Sequence, residues 1–331
     1  MQRAWNVWSL LAVLVLFTAC QKEQSELIPQ RVEIQQPLMG TLFQVTTYAT
    51  DVPRARRLIA EAFEKGGQIE SVASDYAPES ELNRFCAAPF GKPVPLSDDL
   101  FTLLKLAHDT AVQTDGAYDP TLGPLTHLWR RTRRSGQLPS DEVLENARQS
   151  CGYQFLKLDP LSKTATLQKE GMQLDLGGIA KGYAADQMFH HLHATGLTQT
   201  LVAAGGDLRF GEAPPEKDGW VIGLRTFHLT PSSTKNLVQC AVSTSGDLHQ
   251  SVTIAGKRYA HLVDPRTGLG LTESKVATVI APLASTTDPL ATAACLYSNP
   301  KTLLEKFPNY SFRILSEDQT KAPLKSGIFL K

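Results

Sequence analysis

The chain has 331 residues, 42% hydrophobic and 20% charged, with Lys+Arg and Asp+Glu equal at 33 each. This balance describes a globular protein of about two domains, with no basic excess to hold a phosphate backbone. It excludes a disordered chain, a collagen-like or coiled-coil rod, a polytopic membrane protein and a nucleic-acid binder.

Residues 1–19 differ from everything after them. Arg3 is the only charge before Lys22, and an apolar run from Leu10 to Phe17 leads to Thr18-Ala19-Cys20. A positive start, a short apolar segment and small residues before a cysteine predict a bacterial lipoprotein signal peptide, too short to span a bilayer. Phe17 stands where such signals usually carry Leu. Cys20 is then the lipidated N-terminus, and residues 20–36 are a polar tether to the membrane. The expected location is the periplasmic face of a bacterial membrane. Residues 37–331 form the folded domain, with room for two subdomains.

Leu42, Val45 and Tyr48 suggest a strand, and Leu58, Ile59, Ala62, Phe63 and Ile69 give residues 54–74 a buried helical face. Ser97 caps a second helix whose stripe is Leu100, Leu103, Leu104, Ala107 and Ala111. Ser140 caps a third over residues 139–149. Residues 152–176 read as a hairpin turning at Asp159-Pro160. A helix runs from Ile179 to His193, followed by a short buried strand over residues 200–204. Residues 219–280 hold strand runs broken by Gly and Pro. Asp288-Pro289 opens a last helix reaching about Tyr297. Without a regular βαβ rhythm, the expected class is α+β. Cys86, Cys151, Cys240 and Cys295 form no CxxC pair and are expected mainly as small core residues.

The polar chemistry gathers in turns. Asp175-Leu176-Gly177-Gly178-Ile179-Ala180-Lys181-Gly182 joins a strand to a helix, exposing backbone N–H groups beside a cation, which suits a phosphate. It matches neither GxGxxG nor GxxxxGK[ST], and by itself reads equally as a tight turn. Gly205-Gly206-Asp207 reads as a second turn. Ser243-Thr244-Ser245-Gly246-Asp247 is dense in hydroxyls. His261, Asp264 and Arg266 fall within six residues, a cluster that an Asx-Pro turn explains as well. Asp288 and Thr292 share a helix face and offer hard oxygen donors suited to Mg²⁺, although Asp288 could simply cap its helix. Asp186, His190 and His193 imitate a metal site that a polar helix end explains equally.

Together these blocks resemble the ApbE family, the FAD:protein FMN transferases. The matching residues are M-G-T at 39–41, Y-D-P-T at 118–121, D-L-G-G-I-A-K-G-Y-A-A-D at 175–186 and A-G-G-D-L at 204–208. S-T-S-G-D at 243–247, H-L-V-D-P-R-T-G at 261–268 and D-P-L-A-T at 288–292 complete the set. The resemblance spans roughly residues 37–300. It implies an α+β fold of the ApbE type, with mixed β-sheets and packed helices. It also implies a Mg²⁺-dependent transfer of FMN from FAD to a Thr or Ser hydroxyl, releasing AMP. The implied acceptors are flavoprotein subunits of sodium-pumping NADH:quinone reductases and of Rnf-type complexes.

Carried over by motif, Met39, Tyr76, Tyr118, Asp119, Asp175, Lys181 and Leu262 would line the FAD site. Asp288 and Thr292, with backbone oxygens near Gly178 and Ala291, would hold Mg²⁺. His261 would be the general base, and Arg266 would stabilise phosphate charge or fix its own loop. The chain departs from the family pattern at Tyr118 (usually Phe), Ala203 (often Asn), Leu248-His249-Gln250 (commonly Tyr-Glu-Arg) and Pro289 (usually Ala). Rival readings are an FAD-binding lipoprotein, an FAD pyrophosphatase giving FMN and AMP, and a serine hydrolase using Ser245, His261 and Asp264.

Overall fold

The computed structural model describes residues 28–224, 226–227, 233–246, 251–297, 299–317 and 324–327. The predicted signal peptide, Cys20, Asp247 and Leu248-His249-Gln250 lie outside these residues.

An antiparallel sheet of eight strands forms the centre. Its strands are β1 (Gln30–Leu38), β2 (Thr41–Ala49), β3 (Thr200–Ala204), β4 (Asp207–Phe210), β5 (Ala241–Gly246), β6 (Lys275–Ala281), β7 (Ser311–Ser316) and β8 (Leu324–Ser326). Their order in space is their order in the chain, each pairing with the next. The described helices are α1 (Val52–Ala73), α2 (Glu81–Cys86), α3 (Asp98–Gln113), α4 (Gly123–Ser135), α5 (Asp141–Gln149), α6 (Ala180–Ala194), α7 (Ala284–Leu296) and α8 (Pro300–Lys306). The first six all fall between β2 and β3, which nonetheless pair directly, Val45 opposite Val202. The class is α+β, as expected. No described helix is long and apolar enough to cross a membrane.

Local chemistry explains the helix starts. Asp51, Ser97 and Ser140 accept hydrogen bonds from Arg54, Leu100 and Val143 N–H, each cap contributing about 1 kcal/mol. The core joins Phe43, Val45 and Val202 of the sheet to Ile59 and Ala62 of α1, Leu103 of α3 and Met188 of α6. Helix α7 has no solvent-exposed face. Ala284, Leu290, Ala293, Ala294 and Cys295 are all buried, and the helix packs on β5, β6 and α6. The crossing of α6 with α7 is made at Gly182, where a Cβ would lie 2.2 Å from the Ala284 carbonyl oxygen.

The structure departs from the sequence expectations at several points. Residues 30–36, expected as tether, belong to the edge strand Gln30–Leu38, with Val32 buried and Gln35 and Gln36 exposed. Its polar surplus belongs to a strand with one open edge. The hairpin contracts to strands Leu156–Asp159 and Thr164–Leu167. Helix α7 starts at Ala284, not Asp288, because Asp186 caps it from outside: its carboxylate accepts from Ala284 N–H, Ser285 N–H and the Ser285 hydroxyl. Pro289 therefore lies inside the helix, and α8 follows it. The four described cysteines are free thiols, and all but Cys86 are buried.

Candidate functional site

A cavity of about 460 Å³ opens at one end of β4, β5 and β6, where the sheet meets α4, α6 and α7. The loop before α6 contributes Asp175 and Gly178, and the first turn of α6 contributes Lys181. Helix α7 contributes Asp288, Ala291 and Thr292, and the segments before α4 add Tyr76, Tyr118 and Asp119. His261 and Leu262 close it from the turn after Lys257–Ala260. One compartment thus gathers eleven of the twelve residues expected to bind FAD, hold Mg²⁺ or act as base. Met39 is not among them: it is half-buried at the β1–β2 turn, its N–H donating to Glu70 3.0 Å away.

At the bottom of the cavity a cation lies between two acids. The Lys181 ammonium is 3.3 Å from an Asp288 carboxylate oxygen and 3.4 Å from one of Asp207, and it donates to the Gly177 carbonyl at 2.8 Å. The acid side chains are only 8% and 5% exposed. Burial, and then the charge of Asp207, push the Asp288 carboxyl up to about 7, against the pull of Lys181. Burial alone would lower Lys181, but Asp288 and Asp207 more than reverse this and hold it charged. The glycine loop is therefore not an empty anion nest. Ala180 N–H bonds to the Leu176 carbonyl, Gly177 N–H to Asp175, and Gly182 N–H to Asp288, so the positive charge here is that of Lys181 in the first turn of α6.

Asp288 and Thr292 sit one helical turn apart and face the cavity together, as their spacing predicts. The Thr292 hydroxyl lies 3.5 Å from that of Ser245. A Cβ on Gly178 would stand 3.3 Å from the Tyr118 ring and 3.6 Å from the Thr292 hydroxyl, so a side chain here would crowd the space between them. Tyr118 is 5% exposed, yet its hydroxyl has no hydrogen-bond partner among the described residues. A buried, unsatisfied hydroxyl costs about 1–3 kcal/mol, which a polar ligand in the cavity would recover. One carboxylate, one hydroxyl and nearby carbonyl oxygens form a hard donor set that fits Mg²⁺. Among the described residues no three His, Cys, Asp or Glu side chains cluster to hold a metal, so other ligands would come from backbone and substrate oxygens.

A second network orders the outer wall. Arg130 ion-pairs with Asp75 and, at 2.8 Å, with Asp175, while its guanidinium lies 4.3 Å from the centre of the Tyr76 ring. His127 adds a contact to Asp75 at 3.3 Å. Burial would raise the Asp75 carboxyl, but His127 and Arg130 hold it below the usual range. The sequence reading of Tyr76 and Asp175 missed the arginine joining them, and it gave Asp207 no role. The signals were Arg130 one helical turn from His127 in α4, and the aspartate closing A-G-G-D.

Two expected site residues are also tied to their own loops, one of the two alternatives open for Arg266. Asp119 lines the cavity, but its carboxylate accepts from Thr121 N–H, the Thr121 hydroxyl and Tyr153 N–H, so it holds a turn. Arg266 fixes its own loop: Asp264 accepts from its backbone N–H and its guanidinium, which also reaches the Leu296 carbonyl. Asp264 is thereby committed to Arg266, which removes the acid from a Ser245–His261–Asp264 triad.

The comparisons with known proteins agree. A family model described as the ApbE family matches residues 39–311. The FAD:protein FMN transferase of Treponema pallidum (strain Nichols) is 29% identical, covering 95% of this chain and 92% of that protein. The enzyme of the same name from Escherichia coli (strain K12) is 28% identical, covering 85% and 83%. Among solved structures, an ApbE protein from Thermotoga maritima superposes with a TM-score of 0.81 at 29% identity, covering 90% of this chain and 97% of that one.

Proposed function

Because the chain belongs to the ApbE family, we infer that it is an FAD:protein FMN transferase, moving FMN from FAD to a Thr or Ser hydroxyl of an acceptor flavoprotein and releasing AMP. The observation that carries this reading is the meeting of Lys181, Asp288 and Thr292 with His261 and the unsatisfied Tyr118 hydroxyl in one cavity.

In the reaction, the acceptor oxygen bonds to the phosphorus of FMN as the bond from that phosphorus to the AMP oxygen breaks. The hydroxyl must therefore lose a proton, and His261 is the cavity group suited to take it on an imidazole nitrogen. Lys181, kept charged by Asp288 and Asp207, faces the negative charge that develops on the phosphates. The Tyr118 hydroxyl offers a hydrogen bond to the flavin nucleotide. Tyr76, Asp175 and Leu262 border it, with Arg130 fixing the first two. Asp288 and Thr292, with backbone oxygens of Gly178 and Ala291, would hold Mg²⁺, which supplies charge neutralisation at the pyrophosphate.

The proposed acceptors are flavoprotein subunits of sodium-pumping NADH:quinone reductase or Rnf-type complexes. Lipidation of Cys20 would keep the enzyme at the periplasmic face of the membrane, beside such partners.

The test incubates the chain lacking residues 1–20 with FAD, Mg²⁺ and a Thr-bearing acceptor domain and reads the acceptor by intact mass. A gain of one FMN, lost with EDTA and with His261→Ala, is the expected result. Free FMN and AMP with unmodified acceptor would make the protein an FAD pyrophosphatase, and bound, unconverted FAD would make it a flavin carrier.

A further inference from the structure

Helix α4 carries Arg130, Arg131, Arg133 and Arg134 within five residues, in a chain whose formal charge is zero. Arg130 is matched by Asp75 and Asp175. Among the described residues, the guanidinium groups of Arg131, Arg133 and Arg134 meet no carboxylate. Arg133 and Arg134 lie in the last turn, where a cation favours the helix dipole. That accounts for charge at the helix end but not for its position beside the site. With Tyr76, Ser251 and Val252, these two arginines line a second cleft of about 380 Å³. The cleft and the main cavity share Tyr76, Arg130 and Arg133, so one opens at the mouth of the other.

We propose that Arg133 and Arg134 of α4 form the docking surface for an acidic segment of the acceptor protein, guiding its hydroxyl-bearing residue into the cavity. This rests on the transferase reading above. A protein substrate must present a hydroxyl at this mouth, and the groups there set what it can carry in. Two guanidinium forks that meet no carboxylate among the described residues match peptide carboxylates in bidentate geometry. Tyr76, 75% exposed, adds a flat apolar surface between the arginines and the cavity. Such charges act mainly on encounter and orientation, so they belong to acceptor capture rather than to chemistry.

The test uses the chain lacking residues 1–20 with FAD and Mg²⁺, and as probe a Thr-bearing acceptor domain in two forms. One keeps the carboxylates flanking the Thr, and the other has them replaced by amides. Arg133→Glu/Arg134→Glu should raise KM for the acidic form about tenfold or more and flatten the salt dependence of kcat/KM. It should leave kcat at saturating acceptor and the Kd for FAD within about twofold. The amide acceptor should lose a similar factor with the unaltered enzyme and nothing further with the variant. If the Glu pair lowers Tm, the milder Arg133→Gln/Arg134→Gln pair decides, with a smaller rise in KM expected. An unchanged KM for the acidic acceptor overturns the proposal. So does a Kd for FAD weakened by the same factor as KM, which would give the arginines to the nucleotide's phosphates. An unaltered enzyme that modifies no acceptor overturns the transferase reading and this proposal with it, whereas an active one with an unmoved KM overturns this proposal alone.

Discussion

The Lys181 ammonium stands between two acids, 3.3 Å from Asp288 and 3.4 Å from Asp207, and the buried trio carries one negative charge in excess once Asp288 is ionised. A divalent cation beside Asp288 reverses that excess. The raised value near 7 belongs to the folded state, so between the ordinary carboxylate range and about pH 7 the folded chain holds a proton that the unfolded chain has lost. The metal-free protein should therefore lose stability as pH rises through that window. A cation binding the ionised form should restore it. Thermal unfolding with and without Mg²⁺ checks this: the gain in Tm should be larger at pH 8 than at pH 6, and absent in Asp288→Asn.

Asp207 contributes to that raised value, second only to burial. Asp207→Asn keeps the side chain's shape and removes its charge. The pH at which Mg²⁺ begins to stabilise the protein should then move down, because Asp288 ionises more readily. With one anchor of Lys181 weakened, kcat/KM for FAD should fall about tenfold, or about 1.4 kcal/mol. Steady-state kinetics and a titration of Tm against pH measure both effects.

Arg130 ion-pairs with both Asp75 and Asp175 while its guanidinium lies over Tyr76. Arg130→Leu leaves two shielded carboxylates without their main partner and should destabilise the fold by about 2–4 kcal/mol. Because Asp75 is held below its ordinary range, its contribution is present at neutral pH and is lost as pH falls below about 4. Chemical denaturation at pH 7 and pH 3 should show the difference between unaltered protein and variant shrinking on the acid side.

The approach of α6 to α7 leaves no room for a methyl group at Gly182. Gly182→Ala should cost about 3 kcal/mol and weaken FAD binding, because Lys181 and Asp288 lie on the two helices it would push apart. Denaturant midpoints and flavin fluorescence would record both losses.

Much of this site was legible because its residues sit in short motifs that together resemble those of the ApbE family, and spacing within a motif fixes which side chains point the same way. Asp288 and Thr292 face one way at i and i+4, and Lys181 follows a glycine pair at a helix start. What escaped notice depends on contacts between distant segments. Asp186 takes over the capping of α7 from about 100 residues away in sequence, so nothing near Asp288 could announce where that helix begins. Gln30–Leu38 looked like tether because an edge strand with one buried Val carries almost no apolar alternation. Arg130 could be assigned to the site only once α4 was placed against Asp75 and Asp175.

Strand β2 pairs with β3, yet about 150 residues and six helices separate them in the chain. Closing so long a loop carries a heavy entropic cost before any contact across it is gained, which makes this pairing a late step in folding. Translation at about 5–20 residues per second leaves the β1–β2 hairpin waiting on the order of ten seconds for its neighbour. During that time Thr41–Ala49 presents an open, partly apolar edge that any stray strand could occupy. The most aggregation-prone stage of this protein's life thus comes before its active site exists, and a chaperone protecting that hairpin would raise yield without touching the finished enzyme.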